Sequence, residues 1–487
     1  MSLEKLSGSL QKDLPVLKQM FGDSMDLYAK NLRIRGVECA ACMFDGLSST
    51  EKLWVILLDL LSREGPPMPD GAALTNYILH ASDLPVEATP VETFDDLVAR
   101  MTAGMTVLLV DGSPVAVALS SQLLAYRSVS EPSGEGNIRG SREGFCDLLR
   151  VNISLLRRLI RTPDLVIEMH TAGDLTGTEV ALCYNRRLAP PELVEKVRRR
   201  LQNTKIPLLL DSSYLAPFLQ KGPFSFFQQA GYTERSAAAC AKICEGKLVL
   251  LVNGSPFAMI LPHFFIENFQ SLDDYAAKAY FASLLRALKF LAFLLAVMLP
   301  GVYVAIAQFS PELFPPQLLY KVAAAERATP LPLFLEMIFV LILLEIVREA
   351  GLRLPKPIGH TVSLVSALIV GDAAINAGIL STPVVIVAAF TSISMFVIPA
   401  LYEPATALRL LFTLAGGVAG LLGVACMFAV MAVSACNTDF LGMPYTAPLV
   451  PARPGMLRDG MFRFSWRVLA RRPYTIREEV PPHETED

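Results

Sequence analysis

The residue of this sequence most suited to do chemistry is a carboxylate inside an apolar run. Between residues 357 and 438 the charged residues are Asp372, Glu403 and Arg409 alone. Ionisable side chains are costly inside a bilayer and usually serve a function there, so Asp372 is the first functional candidate. At 100° per residue, one helix face holds Asp372 together with Thr361, Val365, Leu368, Ile369 and Asn376.

Two interpretations of this face follow from its composition. In a symmetric oligomer, a ring of Asp372 carboxylates and Asn376 amides would hold hydrated cations, and an apolar ring at Val365 and Leu368 would close the path by dewetting. With Thr361, these residues are the pore-lining candidates. The alternative is that Asp372 pairs with another buried polar group inside one subunit.

Two more carboxylates, Glu336 and Glu345, lie in the apolar segment Leu333–Val347. They are intramembrane acidic candidates, because ionisable side chains are costly inside a bilayer and usually serve a function there. Their spacing places them only loosely on one helix face. We slightly favour ion pairs with Arg348 or Arg353 over direct binding of ions.

The sequence lacks the motifs that carry most catalytic chemistry. It has no G-x-S-x-G, no H-E-x-x-H, no G-x-x-x-x-G-K-[ST], and no G-x-G-x-x-G after a strand. The five histidines are isolated. Cys39 and Cys42 lie in Val37–Phe44, which reads as a buried strand. We therefore expect no enzyme, no cofactor and no metal site.

The distribution of charge divides the chain into a polar front and an apolar block. Of the 163 residues from Ala287 to Leu449, 15 are charged, against 74 of the other 324. This excludes a wholly soluble enzyme, a disordered scaffold and a collagen-like fibre. A net charge of −3 without a basic stripe gives no sign of nucleic-acid binding.

The polar front contains an internal repeat. Val107–Leu119 returns as Val249–Leu261 with nine of thirteen positions identical, and each copy has the Asp-Gly or Asn-Gly turn of a β-hairpin. Upstream, Glu38–Leu47 resembles Glu179–Leu188 at nearly the same offset. Two agreeing offsets predict two tandem α/β subdomains of one fold.

The fold class that we expect is an α/β soluble N-terminal region of two similar subdomains, then an all-α multi-pass membrane domain and a short basic C-terminal tail. The predicted divisions are an extension (1–30), subdomain 1 (31–130), a linker and helix (131–163), subdomain 2 (164–275), the transmembrane domain (276–440) and a cytoplasmic tail (441–487).

Five apolar segments make up the membrane block. They are Leu288–Gln308, Leu333–Val347, Ile358–Leu380, Val384–Leu401 and Leu408–Val433. The start of the chain has no secretory signal, and the tail is basic, so we expect both on the cytoplasmic side and an even number of crossings. We favour four crossings, with Leu333–Val347 only partly entering the bilayer; five crossings with the tail outside is the alternative.

A basic helix predicted over Glu143–Arg161 has two interpretations. It is either a solvated face or a contact surface for a neighbouring subunit or an acidic partner. The subunit-contact candidates, including a later Thr-Glu-Arg motif, are Arg139, Arg142, Glu143, Arg157, Arg158, Glu234 and Arg235.

Several ordered motifs resemble the GerA family of spore germination proteins. They are RGSREGFCDLLRVNISLLRRLIRTP (139–163), TER (233–235), NGSPF (253–257), LPGVYVAI (299–306), REAGLRLPKPIG (348–359) and VGDAAINAGILSTPVVIVAAFT (370–391). The resemblance covers about residues 30 to 475. Three departures stand out, because the family usually has His at Ser310, Gln at Asp372 and Pro at Ser236.

The resemblance implies the A subunit of a nutrient germinant receptor in the inner membrane of the bacterial endospore, with its N-terminal domain on the spore-core side. It implies homo-oligomers in membrane lipid that form a ligand-gated channel for monovalent cations. It also implies two partners, a transporter-like B subunit and a lipoprotein C subunit. The alternatives are an accessory paralogue of the stage V sporulation protein AF type and a secondary transporter.

Overall fold

The structure is a computed structural model of the 487-residue chain. It describes residues 5–49, 51–53, 55–56, 68–81, 84, 86–122, 140–220, 225–353, 369–452, 457–471 and 475–479. Three regions are distinguishable, namely two α/β units and a helical part.

The first unit is a five-stranded antiparallel sheet in the order β1-β2-β4-β5-β3. Its strands are β1 (Leu27–Ile34), β2 (Val37–Phe44), β3 (Ala88–Val91), β4 (Thr106–Val110) and β5 (Ala116–Leu119). Its helices are α1 (Leu10–Met20), α2 (Gly71–Asn76), which continues into a π-helical turn (Tyr77–Ala81), and α3 (Phe94–Thr102). Apolar side chains alternate between the two sheet faces, so a separate core forms on each.

The second unit repeats the first, with the order β6-β7-β9-β10-β8. Its strands are β6 (Leu165–Ala172), β7 (Thr178–Asn185), β8 (Gly231–Thr233), β9 (Leu248–Val252) and β10 (Ala258–Leu261). Its helices are α4 (Leu149–Leu159), α5 (Pro191–Asn203), α6 (Ala216–Leu219) and α7 (Ser236–Cys244). The register repeats too, since Cys42 pairs with Val107 in one sheet and Cys183 with Val249 in the other.

The predicted hairpins are present as β4–β5 and β9–β10. The basic helix α4 is shorter than the predicted Glu143–Arg161. The Asn152 amide accepts a hydrogen bond from the backbone N–H of Cys146 and donates to its carbonyl, which holds the chain before α4 in a loop.

The predicted extension and tail both belong to folded units, which corrects the expected divisions at 30 and 441. Leu17 and Phe21 of the extension are buried in the first core. In the tail, Phe440, Met443 and Ile476 are buried in the second core. The tail also forms β11 (Asp439–Phe440), β12 (Met443–Pro444), α15 (Trp466–Leu469) and α16 (Ile476–Glu479). Apolar side chains in otherwise polar termini explain both corrections.

Among the described residues, the helical part contains six α-helices after the short helix α8 (Leu272–Ala276). They are α9 (Ala279–Phe309), α10 (Pro316–Arg327), α11 (Leu333–Arg353), α12 (Ala374–Asn376), α13 (Thr382–Phe396) and α14 (Tyr402–Asn437). Within the described residues, two helical stretches are long and apolar enough to cross a membrane, Ala279–Phe309 and Pro399–Asn437. Short helical turns complete the fold at Ser212–Leu215, Phe265–Phe269, Pro311–Leu313, Ile369–Ala373 and Pro399–Leu401.

Helix α14 is a hairpin, whereas the sequence predicted one apolar segment over Leu408–Val433. A straight helix of 36 residues would be about 54 Å long. Yet Glu403 near its start bonds Gln228, and Thr438 just after its end lies 2.9 Å from Ser225, so both ends meet one short loop. The chain reverses at Gly420, whose φ of 61° and ψ of −147° are not helical.

The helical part therefore has two ends. We call the end at Arg286, Tyr402 and Thr438, beside the second unit, the proximal end. The opposite end, where Phe309 approaches Gly420, is the distal end. Helix α11 runs between them, because its first turn contacts Ser381 and Gly417 and its later turns contact Tyr402.

Candidate functional site

Two of the five pore-lining candidates lie within the described residues. Thr361, Val365 and Leu368 lie outside the described residues. Asp372 and Asn376 are exposed, one helical turn apart, and the Asn376 amide donates a hydrogen bond of 2.9 Å to the Asp372 carboxylate. Their role at a pore stays a prediction.

A π-helical turn carries Asp372. The turn spans Ile369–Ala373 and leads directly into α12. Such turns widen the helix locally and recur at functional sites. Within the described part of the chain, the hydrogen-bond partner of the Asp372 carboxylate is Asn376, so the expected alternative of a buried pair finds no support there.

Glu345 is the centre of a polar cluster at the proximal end. It accepts a hydrogen bond of 2.8 Å from Arg348 and another from the Tyr402 hydroxyl, and Arg409 lies 3.5 Å away. The Arg348 guanidinium stacks 3.7 Å from the Tyr402 ring centre. The structure thus places Arg348 beside Glu345, whereas Arg353 pairs with Glu349.

Arg409 is the partner that sequence reasoning missed. Its side chain projects from the first arm of α14, is buried, and lies 3.5 Å from Glu345 on α11. The signal was present in the sequence, because Arg409 is the lone basic residue between 357 and 438 and a buried cation needs a carboxylate.

Glu336 is fully buried at the distal end and has neither predicted arginine beside it. One oxygen of its carboxylate accepts a hydrogen bond from the backbone N–H of Ser381. The other oxygen has no hydrogen-bond partner among the described residues.

The subunit-contact candidates make contacts inside one chain, apart from Arg139, which lies outside the described residues. Arg157 is buried and donates hydrogen bonds of 2.8 and 2.9 Å to Asp26, and one of 2.9 Å to the carbonyl of Leu165. Arg158 pairs with Glu143. Arg235 is buried and bonds the Ser141 carbonyl, while Glu234 accepts from Phe145 through its backbone. Arg142 also has a partner within the chain.

The burial of Arg157 changes its interpretation. It joins the start of the first sheet to α4 and β6 of the second unit, so it fixes the two units to each other. A contact between subunits stays a prediction for the more exposed residues Arg142, Glu143 and Arg158.

Four buried charged residues connect the proximal end to the soluble part. We call them the junction cluster, and they are Asp274, Arg286, Asp459 and Arg463. Arg286, on the first turns of α9, is 1% exposed and donates hydrogen bonds of 2.9 Å to both Asp274 and Asp459. Arg463 donates to the carbonyls of Asp274 and Ala277 at 2.6 and 2.8 Å. Segments far apart in sequence thus meet around two buried guanidinium groups, whose planar donors suit several acceptors at once.

A second buried network lies in the second unit beside the junction cluster. Lys247 bonds Glu267 and the Pro262 carbonyl, and Lys242 lies 2.7 Å from the same Glu267 carboxylate. Burial lowers the pKa of Lys247 to about 8 despite the attraction of Glu267. Burial alone would raise the pKa of Glu267, but Lys242 and Lys247 hold it well below its usual range. Both charges are therefore present at neutral pH.

Hydrogen-bonding side chains connect this network to the tail, beginning with His263, which lies 3.4 Å from Glu267. His263 lies 3.0 Å from Asn268, whose amide donates to the Tyr445 hydroxyl at 3.3 Å. These three residues line a cavity of about 130 Å³ that also reaches Leu401 and Pro404 near the start of α14. The cavity therefore lies where the second unit, the tail and the helical part meet.

Cys39 and Cys42 lie in a strand with the predicted bounds, Val37–Phe44. Both are buried, and burial raises the pKa of each thiol to about 12. They are thiols at neutral pH, which makes them poor nucleophiles and poor metal ligands. Among the described residues, no three potential His, Cys, Asp or Glu metal ligands come together.

Comparisons with known proteins agree with one another. The sequence model of the family described as Bacillus/Clostridium GerA spore germination protein matches residues 15–475. Spore germination protein KA of Bacillus subtilis (strain 168) is 32% identical over 97% of this chain and 88% of its own length. Spore germination protein GerLA of Bacillus cereus is also 32% identical, over 97% of this chain and 96% of its own length.

Among solved structures, the N-terminal domain of the A subunit of the Bacillus megaterium spore germinant receptor GerK3 is similar, with a TM-score of 0.42 and 22% identity. The match covers 54% of this chain and 99% of that domain. The family model and the two full-length relatives carry the assignment: this chain belongs to the GerA family of spore germination proteins.

Proposed function

We propose that this chain is the A subunit of a spore nutrient germinant receptor, and that copies of it form a ligand-gated cation channel. Its place is the inner membrane of the endospore, with the two α/β units on the spore-core side. Its partners are a transporter-like B subunit, which receives the nutrient, and a lipoprotein C subunit.

The observation that carries the channel proposal is the exposure of Asp372 and Asn376 in a stretch of the helical part that is largely apolar. A carboxylate facing hydrocarbon is strongly unfavourable, whereas one facing a water-filled path attracts cations. Several copies placed around an axis would give each Asp372 such a path.

Exposed apolar side chains support the placement in a membrane. Helix α11 exposes Leu335, Phe339, Ile342 and Ile346 at helical spacing, and α13 exposes Ile386, Phe390 and Ile393 in the same way. Stripes of this kind are favourable against lipid or against a neighbouring copy, and unfavourable against water.

The junction cluster supports gating by the soluble part. Because Arg286 lies on α9 and bonds both α8 and the tail, a movement of the second unit must move α9 or break buried ion pairs. Breaking them is costly, so the helices follow the soluble part.

The test is cation flux from liposomes that contain the purified receptor with its B and C subunits. We expect Asp372→Asn to lower potassium flux severalfold, and Asp372→Lys to shift selectivity toward anions, because the charge at the proposed ring is removed or reversed. Glu312→Gln, a change of an exposed distal carboxylate, is the matched control. Unchanged flux and selectivity in both Asp372 variants, with assembly intact, would rule out the proposed ring.

A further inference from the structure

Four side-chain oxygens are buried at the distal end without a hydrogen-bond partner among the described residues. They are Tyr303 Oη, Glu326 Oε1, Glu336 Oε2 and Ser381 Oγ. Glu336 is 0% exposed, Ser381 3% and Tyr303 8%. We call these residues the distal oxygen cluster. Buried polar atoms are nearly always satisfied, so four on neighbouring elements require an explanation.

The fold brings the cluster together from four elements. The backbone N–H of Ser381, just before α13, donates to the other Glu336 oxygen on α11. Tyr303 on α9 belongs to the same apolar core as Leu333, Met337 and Leu380, which flank those two residues. The end of α10, which carries Glu326, reaches the same region, because the carbonyl oxygen of Ala328 would lie 3.3 Å from a Cβ added at Gly378, three residues before Ser381.

The chemistry of the cluster is that of a cation site. Two neighbouring carboxylates repel each other, here the buried Glu336 and the partly exposed Glu326, and in the described part of the chain neither has a lysine or arginine partner. The unpartnered atoms of the cluster are all oxygens, carboxylate and hydroxyl. Hard cations prefer such ligands, and calcium tolerates irregular sets of them.

We propose that the distal oxygen cluster binds one hard divalent cation of the calcium class. Glu326 and Glu336 supply the two negative charges that balance it, and the hydroxyls of Ser381 and Tyr303 complete the protein ligands. Glu326 is partly exposed on a helix outside the long apolar stretches, which gives the ion a path from the distal aqueous face. A bound ion would tie α9, α10, α11 and α13 together at the end that the soluble part does not reach.

The site is separate from the proposed ion path. It depends on side chains packed inside one chain, whereas the channel proposal depends on Asp372 in an oligomer. Failure of one therefore leaves the other standing, and binding is measurable in receptors that conduct nothing.

The test uses terbium, a luminescent substitute for calcium, on the full-length protein in detergent. Tyr303 lies in the cluster and should transfer excitation to a bound terbium ion. We expect saturable terbium emission on tyrosine excitation, displacement by calcium, and a calcium-dependent rise in Tm. Tyr303→Phe should remove most of the emission and weaken the calcium effect on Tm less than Glu336→Gln does, because it removes a neutral ligand and no charge.

Glu336→Gln should weaken terbium and calcium binding by at least roughly tenfold, since it removes a ligand charge. Glu312→Gln, the same change at an exposed distal position, should leave both signals unaltered. Equal titrations for the wild type and Glu336→Gln would overturn the proposal. So would stability that depends on pH but not on calcium, because the carboxylates would then share a proton, and so would saturation by sodium or potassium alone.

Discussion

At the scale of the residue, Arg157 shows how much one buried guanidinium contributes to the fold. In its ion pair with Asp26, the Arg157 side chain is 1% exposed and the Asp26 side chain 4%. The guanidinium also donates hydrogen bonds to the Ser24 hydroxyl and the Leu165 carbonyl. The guanidinium also stacks 4.5 Å from the ring centre of Phe44. A residue in such a position connects two folded units.

We expect Arg157→Met to lower the free energy of unfolding of the soluble part by about 3–5 kcal/mol, because it leaves Asp26 buried and unpaired. Pulse proteolysis in urea on the full-length protein measures the change. Arg150→Met is the control, since the Arg150 side chain is 72% exposed in its pair with Asp45 and should cost at most about 1 kcal/mol. Equal losses for the two variants would contradict this interpretation of Arg157.

The sequence predicts residue pairs only where the partners are close along the chain. The pairing of Glu345 with Arg348 was predictable because one helical turn separates them. The pairing of Arg157 with Asp26 spans 131 residues, and no local pattern indicates it. For the same reason, the basic residues of α4 resembled a solvated or intersubunit surface.

At the scale of the element, the reversal at Gly420 determines the path of the last long helix. Its backbone conformation is accessible essentially to glycine alone. A Cβ added there would also meet the Phe309 side chain at 3.0 Å. The two arms of α14 pack against α9 because the chain turns at this point.

We expect Gly420→Ala to destabilise the helical part by about 1–3 kcal/mol, because alanine is strained in this conformation. The change should appear as a lower Tm of the detergent-solubilised protein. Gly371→Ala is the control, since an added Cβ there meets no described atom within 4 Å. If both variants have the same Tm as the wild type, the reversal does not lie at Gly420.

The tandem sheets were predictable, whereas the helical hairpin was not. The hairpin turns of the sheets contain Asp-Gly and Asn-Gly, and their recurrence placed β4–β5 and β9–β10 correctly. The reversal of α14 lies inside a continuous apolar run, where periodicity does not distinguish one long helix from two antiparallel arms. Several glycines in that run obscure the one that turns.

At the scale of the whole molecule, both ends of the helical part return to the soluble units. The first turns of α9 carry Arg286 of the junction cluster. After α14, Phe440 and Met443 are buried in the second core. The helical part therefore begins and ends at the proximal end, while the even number of membrane crossings stays a prediction.

This arrangement predicts opposite labelling of two engineered cysteines. In a variant whose eight native cysteines are replaced by alanine, Glu312→Cys at the distal end and Arg467→Cys in the tail should react with an impermeant maleimide from opposite sides of sealed vesicles. Both positions are exposed, so both should react once detergent opens the vesicles. Reaction of both from one side would show that the helical part does not separate the two ends across the bilayer.

The burial of Ile476 in the same core as Leu250 has a consequence for biosynthesis. That core is assembled from stretches made before and after every apolar helix, so the ribosome must finish the helices before the second unit can close. At ordinary elongation rates this delay is on the order of ten to forty seconds. We expect a nascent chain that stops before residue 440 to leave part of this apolar core uncovered, which would make it a substrate for chaperones and proteases.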